Sequence, residues 1–151
     1  MKPEAVIFMG IQAVGKSTFF NARFSKTHIR INLDMLRTRH RENAILKACF
    51  EASQSFVVDN TNPTRADRER YLSQCRESTF RSIGYFFESR IHDAIKRNTQ
   101  RPESERVPEL GLRGAHARLE LPSLGEGFDE LYFVRIDEGG CFVVEPWKNE
   151  I

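Results

Sequence analysis

The sequence predicts an α/β fold: a mainly parallel sheet flanked by helices and ending in an antiparallel C-terminal hairpin. Three observations predict it. Short apolar runs alternate with helix-compatible stretches along the chain, the order of a parallel sheet covered on both faces. The first run passes through a glycine-rich segment directly into a helix. The last two runs flank Glu138-Gly139-Gly140, a turn that folds the chain back on itself.

Each element has a local reason. Ala5–Met9 is an unbroken apolar run of buried-strand length, and Lys16–Phe24 continues as a helix behind Gly15. Ile29-Arg30-Ile31 centres a second strand, His28–Asn32, and a helix with a polar middle follows over Asp34–Ser53. Phe56-Val57-Val58 centres a third strand, Ser55–Asp59. Asn62 is then placed to cap a helix over Pro63–Glu77, with Pro63 at the first helical position, where a missing N–H costs nothing. Phe80–Phe87 reads as a strand, and Ser89 as the cap of a helix over Arg90–Asn98. Arg101–Pro108 is polar and proline-bounded, a mobile loop, ahead of a helix over Pro108–Leu119. Leu131–Asp137 and Cys141–Glu145 form the closing hairpin.

A chain of 151 residues is expected to form one domain over 1–151 and to bury roughly 68–70% of its unfolded surface. Twelve Phe and one Trp supply much of that core. The 23 basic and 21 acidic side chains nearly cancel, which excludes the global field of a non-specific nucleic-acid coat protein. Cys49, Cys75 and Cys141 are far apart and lack any C-x-x-C spacing, so they read as idle thiols of a reducing compartment. No stretch approaches the ~20 apolar residues of a membrane span, and no leader pattern precedes the first strand. The expectation is a cytoplasmic protein.

Gly10-Ile11-Gln12-Ala13-Val14-Gly15-Lys16-Ser17 matches the P-loop pattern G-x-x-x-x-G-K-[ST], and Thr18 continues the helix. Strand, tight turn and helix start are the context its chemistry requires, so the fold is of the P-loop NTPase type. Gly10 and Gly15 let successive N–H groups turn toward phosphate oxygens at a helix N-terminus. Lys16 supplies a flexible cation for the β- and γ-phosphates of ATP, and Ser17 a hydroxyl for Mg²⁺.

Asp59 ends the third strand, where a carboxylate can hold Mg²⁺ or its waters, or simply close an Asx turn. Asp34 ends the second strand at the edge where open α/β sheets bind ligands. It can accept the proton of an attacking hydroxyl, or cap the following helix. Arg37, three residues on, is expected on the same helical face, binding an acceptor phosphate or pairing with Asp34. Arg37-Thr38-Arg39-His40-Arg41 is locally basic, either a solvated face or a track for a phosphate backbone. Arg97 and Arg101 are four apart and share a face if their helix continues.

Taken together, these motifs resemble the polynucleotide 5′-hydroxyl kinases of nucleic-acid end repair. The resemblance runs through Gly10–Thr18, Ile31-Asn32-Leu33-Asp34-Met35-Leu36-Arg37, Val58-Asp59-Asn60-Thr61-Asn62-Pro63 and Arg65-Ala66-Asp67-Arg68-Glu69-Arg70-Tyr71. It continues in Arg97-Asn98-Thr99-Gln100-Arg101, Val107-Pro108 and Glu126-Gly127-Phe128. It implies a kinase moving the γ-phosphate of ATP, with Mg²⁺, to the 5′-hydroxyl ends of DNA or RNA. Lys16 and Ser17 would then hold ATP phosphates and Mg²⁺, Asp34 would be the general base, and Arg37 would hold the acceptor's neighbouring phosphate. Asp59 would orient Arg37 or metal-bound water, and Arg101, with Arg97, would close a mobile lid around 97–108. Leu33 departs from the family, where an Arg is frequent beside the base. No D-x-D-x-T phosphatase stretch is present, and no N-K-x-D guanine-reading element. A kinase for a small-molecule hydroxyl and a non-catalytic ATP-binding protein share the same architecture.

Overall fold

The computed structural model describes residues 2–148, so the ends of the expected 1–151 domain lie outside the described residues. Strands β1 (Glu4–Met9), β2 (Ile29–Ile31), β3 (Phe56–Val58), β4 (Arg81–Phe87), β5 (Glu130–Ile136) and β6 (Phe142–Pro146) make one sheet, in the order β2-β3-β1-β4-β5-β6. The first five run parallel and β6 pairs antiparallel with β5, as the turn at Glu138–Gly140 predicts. The helices are α1 (Lys16–Arg23), α2 (Leu33–Leu36), α3 (Arg39–Ala52), α4 (Arg65–Arg76), α5 (Ile91–Thr99) and α6 (Glu109–Arg118).

Alternation along β1 explains the three layers. Ala5, Ile7 and Met9 point to one face, where they meet Leu46 and Cys49 of α3 and Tyr71, Leu72 and Cys75 of α4. Val6 and Phe8 point to the other, against Phe19 and Phe20 of α1, Ala94 of α5 and Leu112 of α6. With both faces covered, a central strand reads as an unbroken apolar run. The phenylalanines concentrate on the α1 side, where the Phe8 ring stands edge-on to Phe87 at 5.0 Å. At the far edge, the Trp147 ring stands edge-on to Phe86 at 5.4 Å, and the Trp147 backbone N–H bonds the carbonyl of Leu131 at 2.9 Å. Among the described residues no helix is long and apolar enough to cross a membrane.

Three local expectations are corrected. The single helix expected over Asp34–Ser53 is two, because Arg37 adopts φ +77° and ends α2 while Thr38 caps α3 by accepting from Arg41 N–H. Arg37 therefore leaves the helical face it was expected to share with Asp34. Asn62 does not cap α4: it sits at φ +44° and its amide donates to Phe8 O at 2.8 Å. Thr64 caps instead, in a reciprocal box with Asp67 that the spacing T-x-x-D carries. Ser89 does not cap α5 either. Its hydroxyl donates to Phe87 O and accepts from Ile11 N–H, so it serves the loop after β1.

Arg68 on α4 is fully buried, with Nε and Nη2 donating to the two carboxylate oxygens of Glu126 at 2.8 and 3.2 Å. Its Nη1 donates to the carbonyls of Asn62 and Glu120. One guanidinium thus ties α4 to the loop after β3 and to the segment before β5. Arg68→Ala leaves a nearly buried carboxylate and these carbonyls unpaired. It is expected to lower unfolding free energy by about 3–5 kcal/mol, measured by urea denaturation.

Candidate nucleotide and acceptor site

The loop between β1 and α1 is shaped by its two glycines. Gly10 has φ +149°, and a Cβ there would lie 3.1 Å from Phe87 Cβ and 3.2 Å from Ser89 Oγ. Gly15 has φ +95°, with a Cβ position 3.1 Å from the Phe142 ring of β6. Between them Ala13 is also at positive φ, +63°. The loop is tied from outside by Gly10 N–H to Thr61 O, 3.0 Å, and by Ile11 N–H to Ser89 Oγ, 3.2 Å. The first helical bond of α1 runs from Phe19 N–H to Gly15 O, so the N–H groups of Lys16, Ser17 and Thr18 precede the ladder. The first turn of α1 carries no acidic side chain. A cradle of N–H groups at the positive end of a helix results, suited to phosphate. Gln12 Oε1, inside this loop, is buried without a hydrogen-bond partner.

Lys16 is 9% exposed and folds onto the loop, donating from Nζ to Gly10 O at 2.6 Å and Ile11 O at 2.7 Å. Burial lowers its pKa from 10.5 to about 8. Nearby Arg101 lowers it further, while Asp59 and Asp34 act against the burial.

Asp59, 2% exposed, follows β3. Its Oδ2 accepts from Ser17 Oγ at 3.3 Å and from Arg30 Nε at 2.8 Å, while Arg30 Nη2 donates to Ser17 Oγ at 2.9 Å. Asp59 therefore orients Arg30, not Arg37. Sequence reading passed over Arg30, although a charged residue between Ile29 and Ile31 in an otherwise apolar strand was a signal.

Asp34 is placed by its neighbours. Asn32 caps α2 by accepting from Met35 N–H at 3.0 Å, which leaves the Asp34 carboxylate out of the cap. Asn32 Nδ2 also donates to Asp59 O at 2.6 Å, and Leu33 N–H donates to Asn60 Oδ1 at 2.8 Å. Asn60 is held in turn by Glu42, a fully buried carboxylate. Glu42 also accepts from Arg39 Nη1 at 2.8 Å and from the Tyr71 hydroxyl at 3.0 Å. Burial and the Glu42 charge push the Tyr71 phenol up to about 12. The segment Asn60-Thr61-Asn62-Pro63, which reads from sequence as a turn and helix cap, thus joins Asp59 in a set of ties between β1, α2 and α3.

Lys16, Ser17, Arg30, Asp34, Asp59 and Arg101 line one cleft of about 410 Å³ at the C-terminal edge of β1, β2 and β3. Gln12, Ala13 and Arg39 line it too, and Glu105 and Val107 reach it from the 97–108 segment. Asn98 pins that segment, its amide exchanging hydrogen bonds with Val107 O at 2.6 Å and Val107 N–H at 3.0 Å. Two expected site residues lie elsewhere. Arg37 is exposed outside the cleft, and Arg97 lines a shallow depression with Asp93, Lys96 and Gln100. Of the basic run, Arg41 donates to Leu36 O and Arg39 to Glu42, so both brace the fold.

A sequence profile for a family described as AAA domain matches residues 6–122. The chain belongs to this AAA-domain family. It is 28% identical over 132 residues to a bifunctional polynucleotide phosphatase/kinase of Schizosaccharomyces pombe, across 83% of this chain and 32% of that protein. It is 23% identical over 144 residues to an L-seryl-tRNA(Sec) kinase of Methanococcus maripaludis, across 82% of this chain and 55% of the other. The chain thus spans about a third and about half of these relatives. Among solved structures, a gluconokinase from Sinorhizobium meliloti superposes with a TM-score of 0.61 at 17% identity, covering 91% of this chain and 85% of that one. The fold of this AAA-domain protein is that of a P-loop kinase.

The lowered Lys16 pKa predicts a proton linkage. Between pH about 8 and 10.5 the folded chain has lost a proton that an unfolded lysine keeps. A bound polyphosphate restores the charged form. Nucleotide binding at pH 8 is therefore expected to take up part of a proton, and affinity to fall as pH rises further. Calorimetry in two buffers of different ionisation enthalpy measures the uptake, and Lys16→Met abolishes it.

Proposed function

We propose that this domain is an ATP-dependent kinase that transfers the γ-phosphate to the 5′-hydroxyl end of DNA or RNA. The observation carrying this reading is that Asp34 lines one cleft with Lys16, Ser17 and Arg101. A switch protein has no need of a carboxylate across from its phosphate loop. The name of the fission-yeast relative, a polynucleotide phosphatase/kinase, supports a polynucleotide acceptor, and that of the archaeal relative, an L-seryl-tRNA(Sec) kinase, a hydroxyl substrate carried on RNA.

In this reading the N–H groups of Ala13 to Thr18 hold the donor phosphates, and Lys16 leaves its loop carbonyls for the β- and γ-phosphate oxygens. Asp34 accepts the proton of the acceptor hydroxyl as its oxygen bonds to the γ-phosphorus and the bridging bond to ADP breaks. Arg101 faces the charge that develops on the transferred group. Residues 97–108 form the lid of this kinase domain, and Arg39, held by Glu42, is the cation on the acceptor side of Asp34. The hydroxyl and carboxylate of Ser17 and Asp59 are a hard oxygen donor set, which fits Mg²⁺ completed by phosphate and water. When bound there, Mg²⁺ neutralises charge on the β- and γ-phosphates.

A small-molecule hydroxyl is the second reading. It is favoured by the sugar-kinase fold, which matches nearly the full length of both chains. Transfer of labelled γ-phosphate to 5′-hydroxyl DNA and RNA oligonucleotides, nucleosides and sugars separates the two. The expected result is label on oligonucleotide ends. Asp34→Asn should cut turnover by at least ~10²-fold with ATP affinity unchanged. Arg39→Gln should raise the acceptor KM at least tenfold, while Arg37→Ala, outside the cleft, changes it less than twofold. Label on sugars or nucleosides alone discards the polynucleotide reading, and full activity in Asp34→Asn discards the base.

A further inference from the structure

Arg30 holds a position that the proposed chemistry does not use. Its guanidinium spans the two groups assigned to the divalent cation, with Nε 2.8 Å from Asp59 Oδ2 and Nη2 2.9 Å from Ser17 Oγ. Asp59 is 2% exposed, and among the described residues Arg30 is its one ion-pair partner. The side chain of Arg30 itself is 32% exposed, so it has somewhere to go. It arises from β2, an edge strand of three residues, and lines the cleft that Asp34 lines.

A guanidinium within hydrogen-bond distance of both oxygens cannot share them with a dication. The two positive groups would stand at contact distance in a partly buried site, where repulsion is weakly screened. Arg30 also occupies acceptor sites that a metal would use: one of the two lone pairs of Ser17 Oγ, whose single proton goes to Asp59, and a site on Asp59 Oδ2.

We propose that Arg30 is a built-in competitor of the divalent cation for Ser17 and Asp59, and that cation binding hands its guanidinium over to the cleft beside Asp34. The inference rests on the assignment of Ser17 and Asp59 to the metal, and not on the acceptor being a nucleic acid. It has two consequences. Arg30 weakens cation binding, keeping the buried Asp59 carboxylate neutralised at low cation concentration. The released guanidinium adds a positive charge on the acceptor side, so a bound metal–nucleotide strengthens the binding of an anionic acceptor, and by reciprocity the acceptor strengthens the nucleotide.

The direction of the first consequence makes it testable by binding alone. ADP affinity is measured by calorimetry across a Mg²⁺ titration, for the whole protein and for Arg30→Gln, Arg30→Lys and Asp59→Asn, with thermal unfolding as the check on folding. Arg30→Gln is expected to lower the half-saturating Mg²⁺ concentration at least tenfold, with ADP affinity at saturating Mg²⁺ equal or better. Arg30→Lys, which keeps the charge but not the fork that spans both oxygens, should fall between the two. Asp59→Asn should raise the Mg²⁺ requirement. An Arg30→Gln protein that needs as much Mg²⁺ as the parent, or more, overturns the competition while Asp59→Asn still reports the metal site. A Mg²⁺ requirement unmoved by Asp59→Asn removes the metal assignment and the proposal together. Mn²⁺ in place of Mg²⁺, read by electron paramagnetic resonance, gives the same ranking without nucleotide if Arg30 acts on the cation itself.

Discussion

The N–H of Gly10 bonds the carbonyl of Thr61 at 3.0 Å, and the rest of the site depends on that crossing. A glycine-rich loop leaving a central strand exposes backbone groups that must find partners, and helix α1 cannot supply them. The residues after β3 do. Thr61 takes Gly10 N–H, Asn62 caps the open carbonyl of Phe8, and Asn60 carries the contact on to Leu33. The P-loop and the segment bearing Asp34 are thereby fixed against the same stretch, Asn60-Thr61-Asn62. Their separation is set by one backbone hydrogen bond and by the side-chain amides of Asn60 and Asn62, none of them on the outer surface.

Charge is arranged around this stretch in two layers. In the buried one, Glu42 and Asp59 each carry a carboxylate that water scarcely reaches, and each has an arginine against it. Removing either arginine leaves a carboxylate uncompensated, while each arginine keeps part of its fork toward the cleft. In the outer layer, Asp34 and Arg101 line the same cleft and act on Lys16 in opposite directions. The balanced composition of the chain therefore conceals a cleft in which cations and anions alternate over short distances.

Much of this was legible in the sequence. The central strands could be placed because buried parallel strands are apolar on both faces, β6 because a Gly-Gly turn precedes it, and the P-loop because its glycines answer a steric demand. Asp34 and Asp59 followed from standing at strand ends. What was not legible depended on competition between neighbours. Asn62 and Ser89 both look like caps, and both are drawn off to bond the loop around β1. Arg37 looks like the acceptor-side cation until Thr38 starts a new helix and turns it outward. Arg30 reaches the cleft beside a partner 29 residues away, a pairing that no local spacing encodes.

The Phe142 ring stands where a side chain at Gly15 would have to go, and this has a consequence for how the fold is completed. The phosphate loop follows β1, but one wall of it is delivered by β6, on the far side of the sheet order. Until the closing hairpin docks, the loop has its sequence without its shape and holds ligand poorly. Competence to bind is thereby tied to completion of the sheet. A product that stopped short of β6 would carry the whole motif and lack the surface that gives it form.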